Sequence, residues 1–301
     1  METSGQKFSV IGAGTMGLGI AQVAAQAGFQ VVLYDSVEGA AKKGLEIINK
    51  RLQKLVEKGE LEKSLAQSAS EQISVTHDLA GVAGSFFVIE AITEEREPKK
   101  ALFQKLDQLC GATTILASNT SSIPITELAS ATRHPENVIG MHFMNPVPLM
   151  AGVEIIKSLK TSEKTYRKTK QLAEKFSKQP VYSSDKAGFV VNRILMPLIN
   201  EAIRVVEEET STVEDVDNGA KYCLNHPLGP LALSDLIGND TTHHILSVIE
   251  DELGERFKPA SLLTRMVEAG LLGNKTGAGF YLWMDNKPQE VNGQLLNYLK
   301  R

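Results

Sequence analysis

The sequence predicts an α/β protein in which a doubly wound parallel sheet is followed by an all-helical C-terminal domain. Over residues 7–143, short apolar segments alternate with segments of helical periodicity, which is typical of a parallel sheet whose strands are joined by crossover helices. A glycine-rich turn joins the first apolar segment to the first helical one. Beyond residue 186 the periodicity is helical until the short apolar segment GFYLW near the C-terminus.

The composition is that of a globular protein. The chain has 301 residues, enough for about two domains, and is 42% hydrophobic and 23% charged. Its formal net charge of −4 provides no cationic surplus for nucleic-acid phosphates, and no apolar run approaches the ~20 residues of a membrane span. Cys110 and Cys223 lack metal-ligand spacing, which favours free thiols in a reducing compartment. We therefore expect a cytoplasmic protein with no nucleic-acid or membrane partner and no metal.

The first three elements are predicted within residues 7–36. The apolar run 8–11 suits a strand that is covered on both faces. Residues 16–27 are rich in helix formers and are followed by glycine, the usual residue just after a helix. The β-branched run 31–34 predicts the second strand.

A charged segment over residues 38–66 predicts a helical insertion after the second strand. Its leucine and isoleucine side chains recur at spacings of three and four residues, which indicates one apolar helix face. Lysines on another side form either a solvated face or a docking strip for phosphates. The later predicted elements are strands over 73–75, 86–91, 114–117 and 138–143 and helices over 96–110 and 124–131.

We place a domain boundary near Lys186. The first domain then covers residues 1–186, and an all-α domain covers residues 187–301. The first long helical segment of the second domain contains Pro197, which predicts a kink.

The glycine-rich turn carries the motif G-x-G-x-x-G between a predicted strand and a predicted helix. The first glycine permits a tight turn, the second lets a pyrophosphate approach the backbone, and the third allows close packing of helix on strand. The helix N-terminus adds amide donors and a positive dipole end. The turn therefore predicts a Rossmann-type dinucleotide-binding domain. Its residues are Gly12, Gly14, Thr15, Met16 and Gly17.

Asp35 ends the second predicted strand, 18 residues after Gly17. It is either a turn residue or an acceptor for the two hydroxyls of the adenosine ribose. A carboxylate at this place repels a 2′-phosphate, and Ser36 brings no compensating positive charge. The second interpretation therefore favours NAD over NADP as the cofactor.

His142 lies near the end of a predicted strand, where a doubly wound sheet forms its ligand crevice. A proline-rich turn over 145–148 ends that strand, and residues 152–156 predict a short strand that returns beside it. Such a return places Glu154 within reach of His142. A carboxylate on one imidazole nitrogen leaves the other nitrogen free to exchange a proton. The pair is therefore either a structural contact or a catalytic acid–base pair.

Two further polar features stand out. The small polar residues of ASNTSSIPI, residues 117–125, either cap a helix or line a crevice with hydroxyl donors. Asn192 lies among apolar neighbours near the start of a predicted helix. An interior asparagine needs hydrogen-bond partners, and a substrate is one candidate.

Several long motifs, in the same order along nearly the whole chain, resemble the short-chain L-3-hydroxyacyl-CoA dehydrogenase family. They are GAGTMGLGIA, ASNTSSIPI, GMHFMNPVPLM with the following VEII, KAGFVVNRILMPLINEA, NHPLGPLALSDLIG and KTGAGFY. The resemblance implies NAD-dependent oxidation of a short-chain substrate such as 3-hydroxybutyryl-CoA to the 3-ketoacyl-CoA, and the reverse, in fatty-acid or butyrate metabolism. It also implies a homodimer whose interface lies in the helical domain.

The resemblance implies roles for four residues at the reacting centre. His142 would be the base that takes the 3-hydroxyl proton, and Glu154 would orient and stabilise it. Ser121 and Asn192 would hydrogen-bond the reacting oxygen, with Ser121 also counted among the cofactor-binding residues.

For the ligands, the resemblance implies cofactor contacts by Glu94, Lys99, Asn145 and Lys275. The basic face of the 42–58 segment would meet the adenine-nucleotide end of CoA, with Lys54 as the expected contact.

The chain departs from the family pattern at two places. Ala151-Gly152 replaces a frequent Lys-Leu pair, and Gly152 could loosen the strand that delivers Glu154. Asn239 stands where an apolar residue is usual. A dehydrogenase of a free hydroxy acid, a sugar acid or carnitine is an alternative, as is a non-catalytic NAD-binding protein. The intact set of four reacting-centre residues argues against the non-catalytic alternative.

Overall fold

A computed structural model describes residues 5–299 of the chain. The chain divides into two compact units, the first ending at Phe189 and the second beginning at Val190. Among the helices of residues 5–299, none has both the length and the apolar character needed to cross a membrane.

Within the described residues, the first unit is built on an eight-stranded sheet in the order β3-β2-β1-β4-β5-β6-β7-β8. Neighbouring strands are parallel except for β6 and β7, which are antiparallel. The predicted doubly wound sheet is thereby confirmed. Its strands are Lys7–Ile11 (β1), Gln30–Tyr34 (β2), Ile73–Thr76 (β3), Phe87–Glu90 (β4), Ile115–Ser118 (β5), Val138–Phe143 (β6), Gly152–Lys157 (β7) and Gln179–Ser184 (β8).

The strand order places the site of the unit. β1 lies between β2 and β4, so the chain leaves β1 on one side and later returns on the other. The carboxyl ends of β1, β4, β5 and β6 meet along one edge because these strands are parallel. A crevice that binds ligands forms at such a reversal of strand order.

Helices flank this sheet. The single helical insertion expected over residues 38–66 is two helices, because the first ends before Gly59, whose φ of +72° is left-handed and stops a helix. The helix Glu163–Lys175 and the strand β8 were not predicted. The helices of the first unit are Thr15–Gln26 (α1), Ala40–Glu57 (α2), Lys63–Glu71 (α3), Arg96–Leu109 (α4), Ile125–Ser130 (α5) and Glu163–Lys175 (α6).

Phenylalanines pack at the centre of the sheet. The Phe8 ring stacks on Phe87 with 5.5 Å between centroids, and Phe176 meets Phe8 edge-on at 5.5 Å. Phe8 and Phe87 are almost fully buried, and burial of each such side chain stabilises the fold by about 1.5–3 kcal/mol. The middle strands, which carry the site at their carboxyl ends, are therefore held in a rigid frame.

The second unit is helical, as predicted, and adds one antiparallel hairpin that an all-α description leaves out. Its helix α7 continues through Pro197, and its hairpin buries Tyr281 and Trp283 from alternate positions. The elements are Val191–Glu207 (α7), Val213–Cys223 (α8), Pro230–Ile237 (α9), Asn239–Leu253 (α10), Ser261–Glu268 (α11), Gly293–Leu299 (α12), Tyr281–Met284 (β9) and Lys287–Val291 (β10).

Asp235 fastens this hairpin to α9. Its carboxylate is fully buried and accepts hydrogen bonds from the backbone N of Phe280 (3.0 Å), the backbone N of Tyr281 (2.9 Å) and Nε1 of Trp283 (3.0 Å). Burial raises the pKa of Asp235, although these donors oppose the shift. The hairpin is thus an integral part of the second unit.

Candidate active site

The glycine-rich turn has the geometry that its motif predicts. Gly12 has a φ of +105°, and a Cβ there would lie 2.5 Å from the carbonyl oxygen of Ala91. A Cβ on Gly17 would overlap the carbonyl oxygen of Gly12. A Cβ on Gly14, by contrast, would meet no atom within 4 Å. The turn is therefore closed on its protein side and open in front of the N-terminus of α1, where an anion is stabilised.

Asp35 lies beside this turn at the end of β2. One carboxylate oxygen accepts a hydrogen bond from the backbone N of Ala13 (2.8 Å), and the other accepts one from Val37 (2.9 Å). An ionised carboxylate has about four acceptor positions, so capacity for ribose hydroxyls remains. The open face of Gly14, the amides of α1 and the Asp35 carboxylate together fit a dinucleotide.

His142 and Glu154 face each other on the antiparallel strands β6 and β7. His142 Nδ1 lies 2.8 Å from a carboxylate oxygen of Glu154, and the two residues are 7% and 1% exposed. The strand register alone brings them together, since they are directly opposite in the ladder. An Nδ1–H donated to the carboxylate leaves the Nε2 lone pair of a neutral imidazole available to accept a proton.

Glu94 organises the turn that contains Ser121. One carboxylate oxygen of Glu94 accepts hydrogen bonds from Thr120 Oγ1 (2.6 Å), Ser121 N (2.8 Å) and Ser122 N (3.1 Å). Burial acts to raise the pKa of Glu94, but Lys99 and these donors outweigh it and lower the pKa to about 2. The structure thus joins two predicted site residues, Glu94 and Ser121, through an ionised carboxylate.

Lys99 lies beneath this carboxylate and is 1% exposed. Its Nζ is 2.5 Å from an oxygen of Glu90 and 3.2 Å from an oxygen of Glu94. Glu90 is fully buried at the end of β4 and also accepts a hydrogen bond from Ser118 Oγ (2.6 Å). Sequence reasoning missed Glu90, for which the signal was an acidic residue ending an apolar strand. Ser118 belongs to the polar run 117–125, for which lining a crevice was one of the two alternatives.

Lys54 lines a pocket of about 250 Å³ between α1, α2 and the loop that follows β6. The predicted residues Thr15 and Asn145 line the same pocket. Arg51 and Gln22 also line it, although neither was predicted as a site residue. Arg51 precedes Lys54 by three residues on α2, so the two cations share one helix face.

The remaining predicted residues belong to the second unit. Asn192 lies in the first turn of α7. Lys275 lies in a short 3-10 turn, and its Nζ is 2.5 Å from the Asp240 carboxylate. Asn239 is fully buried; its side chain accepts from Ser234 Oγ (2.7 Å) and donates to Asp235 (2.8 Å). Asn239, which departs from the family pattern, is therefore hydrogen-bonded within the second unit.

The other departure, Ala151-Gly152, lies at the start of the paired strand β7. Gly152 begins β7 and pairs with Gln179 of β8, while the backbone N of Gln179 donates to the carbonyl oxygen of Ala151 (2.7 Å). The register that sets Glu154 opposite His142 is intact. β8 also pairs with β7 on its other side, and the expectation that Gly152 loosens this hairpin stays a prediction.

The fold and this site define an NAD-dependent dehydrogenase. Residues 7–186 match the family model described as the NAD binding domain of 3-hydroxyacyl-CoA dehydrogenase, and residues 188–283 match its C-terminal domain. The chain belongs to the 3-hydroxyacyl-CoA dehydrogenase family.

Individual relatives are similar over most of their length. A probable 3-hydroxybutyryl-CoA dehydrogenase of Deinococcus radiodurans is 50% identical, over 91% of this chain and 99% of the relative. A 3-hydroxybutyryl-CoA dehydrogenase of Clostridioides difficile is 44% identical, over 91% and 98%. The crystal structure of (S)-3-hydroxybutyryl-CoA dehydrogenase from Ralstonia eutropha is 41% identical, covers 93% of this chain and 99% of that chain, and has a TM-score of 0.90.

Proposed function

We propose that the protein interconverts short-chain L-3-hydroxyacyl-CoA, such as 3-hydroxybutyryl-CoA, and the 3-ketoacyl-CoA with NAD as cofactor. The observation that carries this proposal is the buried pair of His142 and Glu154, whose Nδ1 and carboxylate oxygen are 2.8 Å apart. The pair lies at the same edge of the sheet as the glycine-rich turn. The similarity to the 3-hydroxybutyryl-CoA dehydrogenase of Clostridioides difficile and to the probable one of Deinococcus radiodurans supports the substrate class.

In the oxidation direction, His142 Nε2 takes the proton of the 3-hydroxyl group. Glu154 accepts the Nδ1–H bond and stabilises the imidazolium that forms. In the reduction direction, the imidazolium returns the proton to the ketone oxygen. When bound, NAD accepts the hydride from C3 of the substrate, and its reduced form supplies the hydride for the reverse reaction.

Ser121 and Asn192 are assigned to the reacting oxygen in the same proposal. A hydroxyl and an amide donor stabilise the negative charge that develops on that oxygen as its proton leaves. Support for Ser121 is its place in the turn held by Glu94.

The cofactor is assigned to the crevice at the carboxyl ends of the strands. Asp35 would accept the ribose hydroxyls, and the amides at the start of α1 would bind the pyrophosphate. The further assigned contacts are Gly12, Gly14, Thr15, Met16, Gly17, Glu94, Lys99, Ser121, Asn145 and Lys275.

The CoA part is assigned to the pocket of about 250 Å³ that Lys54 lines. Lys54 and the neighbouring Arg51 supply positive charge suited to phosphate groups. A free hydroxy acid, a sugar acid or carnitine would leave these two cations without a phosphate partner, and this favours the acyl-CoA substrate.

The proposal extends to domain roles and assembly. The first domain, residues 1–186, would bind NAD, and the second, residues 187–301, would contribute to substrate binding and to a homodimer. An apolar groove of about 600 Å³ on the second unit, with Leu224 at 65% exposure, supports self-association. A cytoplasmic location is part of the proposal and is supported by the free thiols of Cys110 and Cys223.

The test is an assay of the purified protein with acetoacetyl-CoA and NADH, in which oxidation of the reduced cofactor is followed by absorbance. We expect turnover with NADH, much slower turnover with NADPH, and none with free acetoacetate. An absence of turnover with both cofactors would contradict the proposed activity. Faster turnover of free acetoacetate than of acetoacetyl-CoA would indicate that the substrate is not a CoA thioester.

A further inference from the structure

The loop over residues 144–151 joins the two strands that carry His142 and Glu154. It carries Asn145 and forms one wall of the pocket that Lys54 lines. Much of this loop is exposed; Leu149, for example, is 76% exposed. Inside the loop, the backbone N atoms of Leu149 and Met150 both donate to the carbonyl oxygen of Pro146 (3.0 Å each). These bonds shape the loop but do not attach it to the rest of the unit.

Lys178 makes that attachment. Its Nζ donates to the carbonyl oxygen of Val147 (2.6 Å) and to that of Met150 (2.7 Å). Lys178 is 5% exposed, and its ammonium group is buried against these two carbonyl oxygens. Burial lowers the pKa of the Lys178 ammonium group. A buried cation destabilises the fold unless it is hydrogen-bonded. The two hydrogen bonds therefore stabilise the buried ammonium group and also fix the loop.

A second contact fixes the opposite side of the loop. Val147 is 2% exposed, and a Cβ on Gly19 of α1 would lie 2.7 Å from the Cβ of Val147. The loop therefore touches the backbone of the helix that begins at the glycine-rich turn. Lys178 on one side and Gly19 on the other determine how far the loop stands from α1 and α2, and this distance is the width of the pocket.

We infer that Lys178 is a positioning residue for substrate binding, because it holds the loop that walls the acyl-CoA pocket. This inference rests on the proposed function. Lys178 acts through the loop, because its Nζ donates to two loop carbonyl oxygens, those of Val147 and Met150. Loss of its two hydrogen bonds widens and loosens the pocket while the acid–base pair keeps its geometry.

The test compares Lys178→Met with the unchanged enzyme in steady-state kinetics with acetoacetyl-CoA and in calorimetric binding of CoA alone. We expect KM for acetoacetyl-CoA and the dissociation constant of CoA to rise about fivefold to thirtyfold, equivalent to about 1–2 kcal/mol, with kcat changed by less than about threefold. Lys178→Gln, which keeps one donor without the charge, should show a smaller rise and serves if the methionine variant does not fold. Lys175→Met, an exposed lysine in the last turn of α6, is the matched control and should leave both constants unchanged.

A lower melting temperature with unchanged KM and CoA affinity would assign Lys178 a purely structural role and overturn the inference. A fall in kcat with unchanged KM would overturn it as well, as would an equal effect of the Lys175 control. The unchanged enzyme's turnover of acetoacetyl-CoA reports separately on the proposed function, so failure of one proposal is distinguishable from failure of the other.

Discussion

At the residue scale, the geometry of His142 and Glu154 follows from strand register. Their pairing was predictable because a short turn between two apolar strands leaves few ways to return. The partners of Glu90, Lys99 and Lys178 were not predictable in this way. Lys178 reaches Val147 and Met150 across 31 and 28 positions, and Lys99 of α4 meets Glu90 at the end of β4. Such pairings depend on tertiary packing that residue spacing does not encode.

His142→Ala is expected to lower kcat for acetoacetyl-CoA reduction by about 10²–10⁴-fold, because a positioned acid–base group contributes that range. The affinity for NADH, measured by fluorescence titration, should change little. His134→Ala is a suitable control, since this histidine is 38% exposed and lies apart from the pair. A near-normal rate in the His142 variant would refute its role as the base.

Ionisation of Glu94 makes stability depend on pH in the acid range. Its pKa is about 2 in the folded protein against an ordinary 4.5, so the stabilisation is present above pH 4.5 and is lost as pH falls toward 2. The side chain is 31% exposed, and after allowance for screening the contribution is about 1–3 kcal/mol.

Glu94→Gln should therefore unfold more readily than the unchanged protein at neutral pH, and this difference should shrink as the pH falls from 4.5 toward 2. Denaturant unfolding at a series of pH values measures the effect. Glu97→Gln, an 81% exposed residue in the first turn of α4, should show almost none. A Glu94 variant whose stability deficit is the same at every pH would exclude the ionisation mechanism.

At the element scale, strands with continuous apolar runs were predicted well, and β6 matches its predicted bounds. The strand β8 was missed because it lies at the sheet edge, is mostly exposed and contains a proline. Sequence periodicity reports burial, so an edge strand with little burial gives a weak signal. The hairpin of β9 and β10 was only partly indicated for the same reason.

Two alanine substitutions in the glycine-rich turn are expected to affect different properties, one the melting temperature and the other the affinity for NADH. Gly17→Ala places a methyl group against the carbonyl oxygen of Gly12, so a lower melting temperature is expected. Gly14→Ala meets no protein atom within 4 Å and should leave the melting temperature nearly unchanged. It should still weaken NADH binding about tenfold or more, because the methyl group occupies the open space before α1. Unchanged NADH affinity in Gly14→Ala would contradict the cofactor placement.

At the scale of the whole molecule, the fold class and the family were predictable because whole motifs recur in order along the chain, and both are confirmed. The assignment of roles to the two domains stays a prediction, as does the homodimer. Self-association depends on which exposed surface meets its copy, and periodicity does not distinguish such a surface from a solvated one.

On the proposed self-association, Leu224→Glu is expected to shift the protein toward monomer, because it places a charge in the apolar groove of the second unit. Sedimentation velocity over a range of concentrations measures the change. Leu159→Glu is the control, as Leu159 is 90% exposed and lies in the first unit. A Leu224 variant that sediments like the unchanged protein would exclude this groove as the interface.

The antiparallel pairing of β6 with β7 has a consequence for how the acid–base pair assembles. His142 and Glu154 are separated by only 12 positions in the chain, so the entropic cost of closing the intervening loop is small. The two residues to which we assign proton transfer therefore lie in one local hairpin, whereas the neighbouring Glu90–Ser118 contact spans 28 positions.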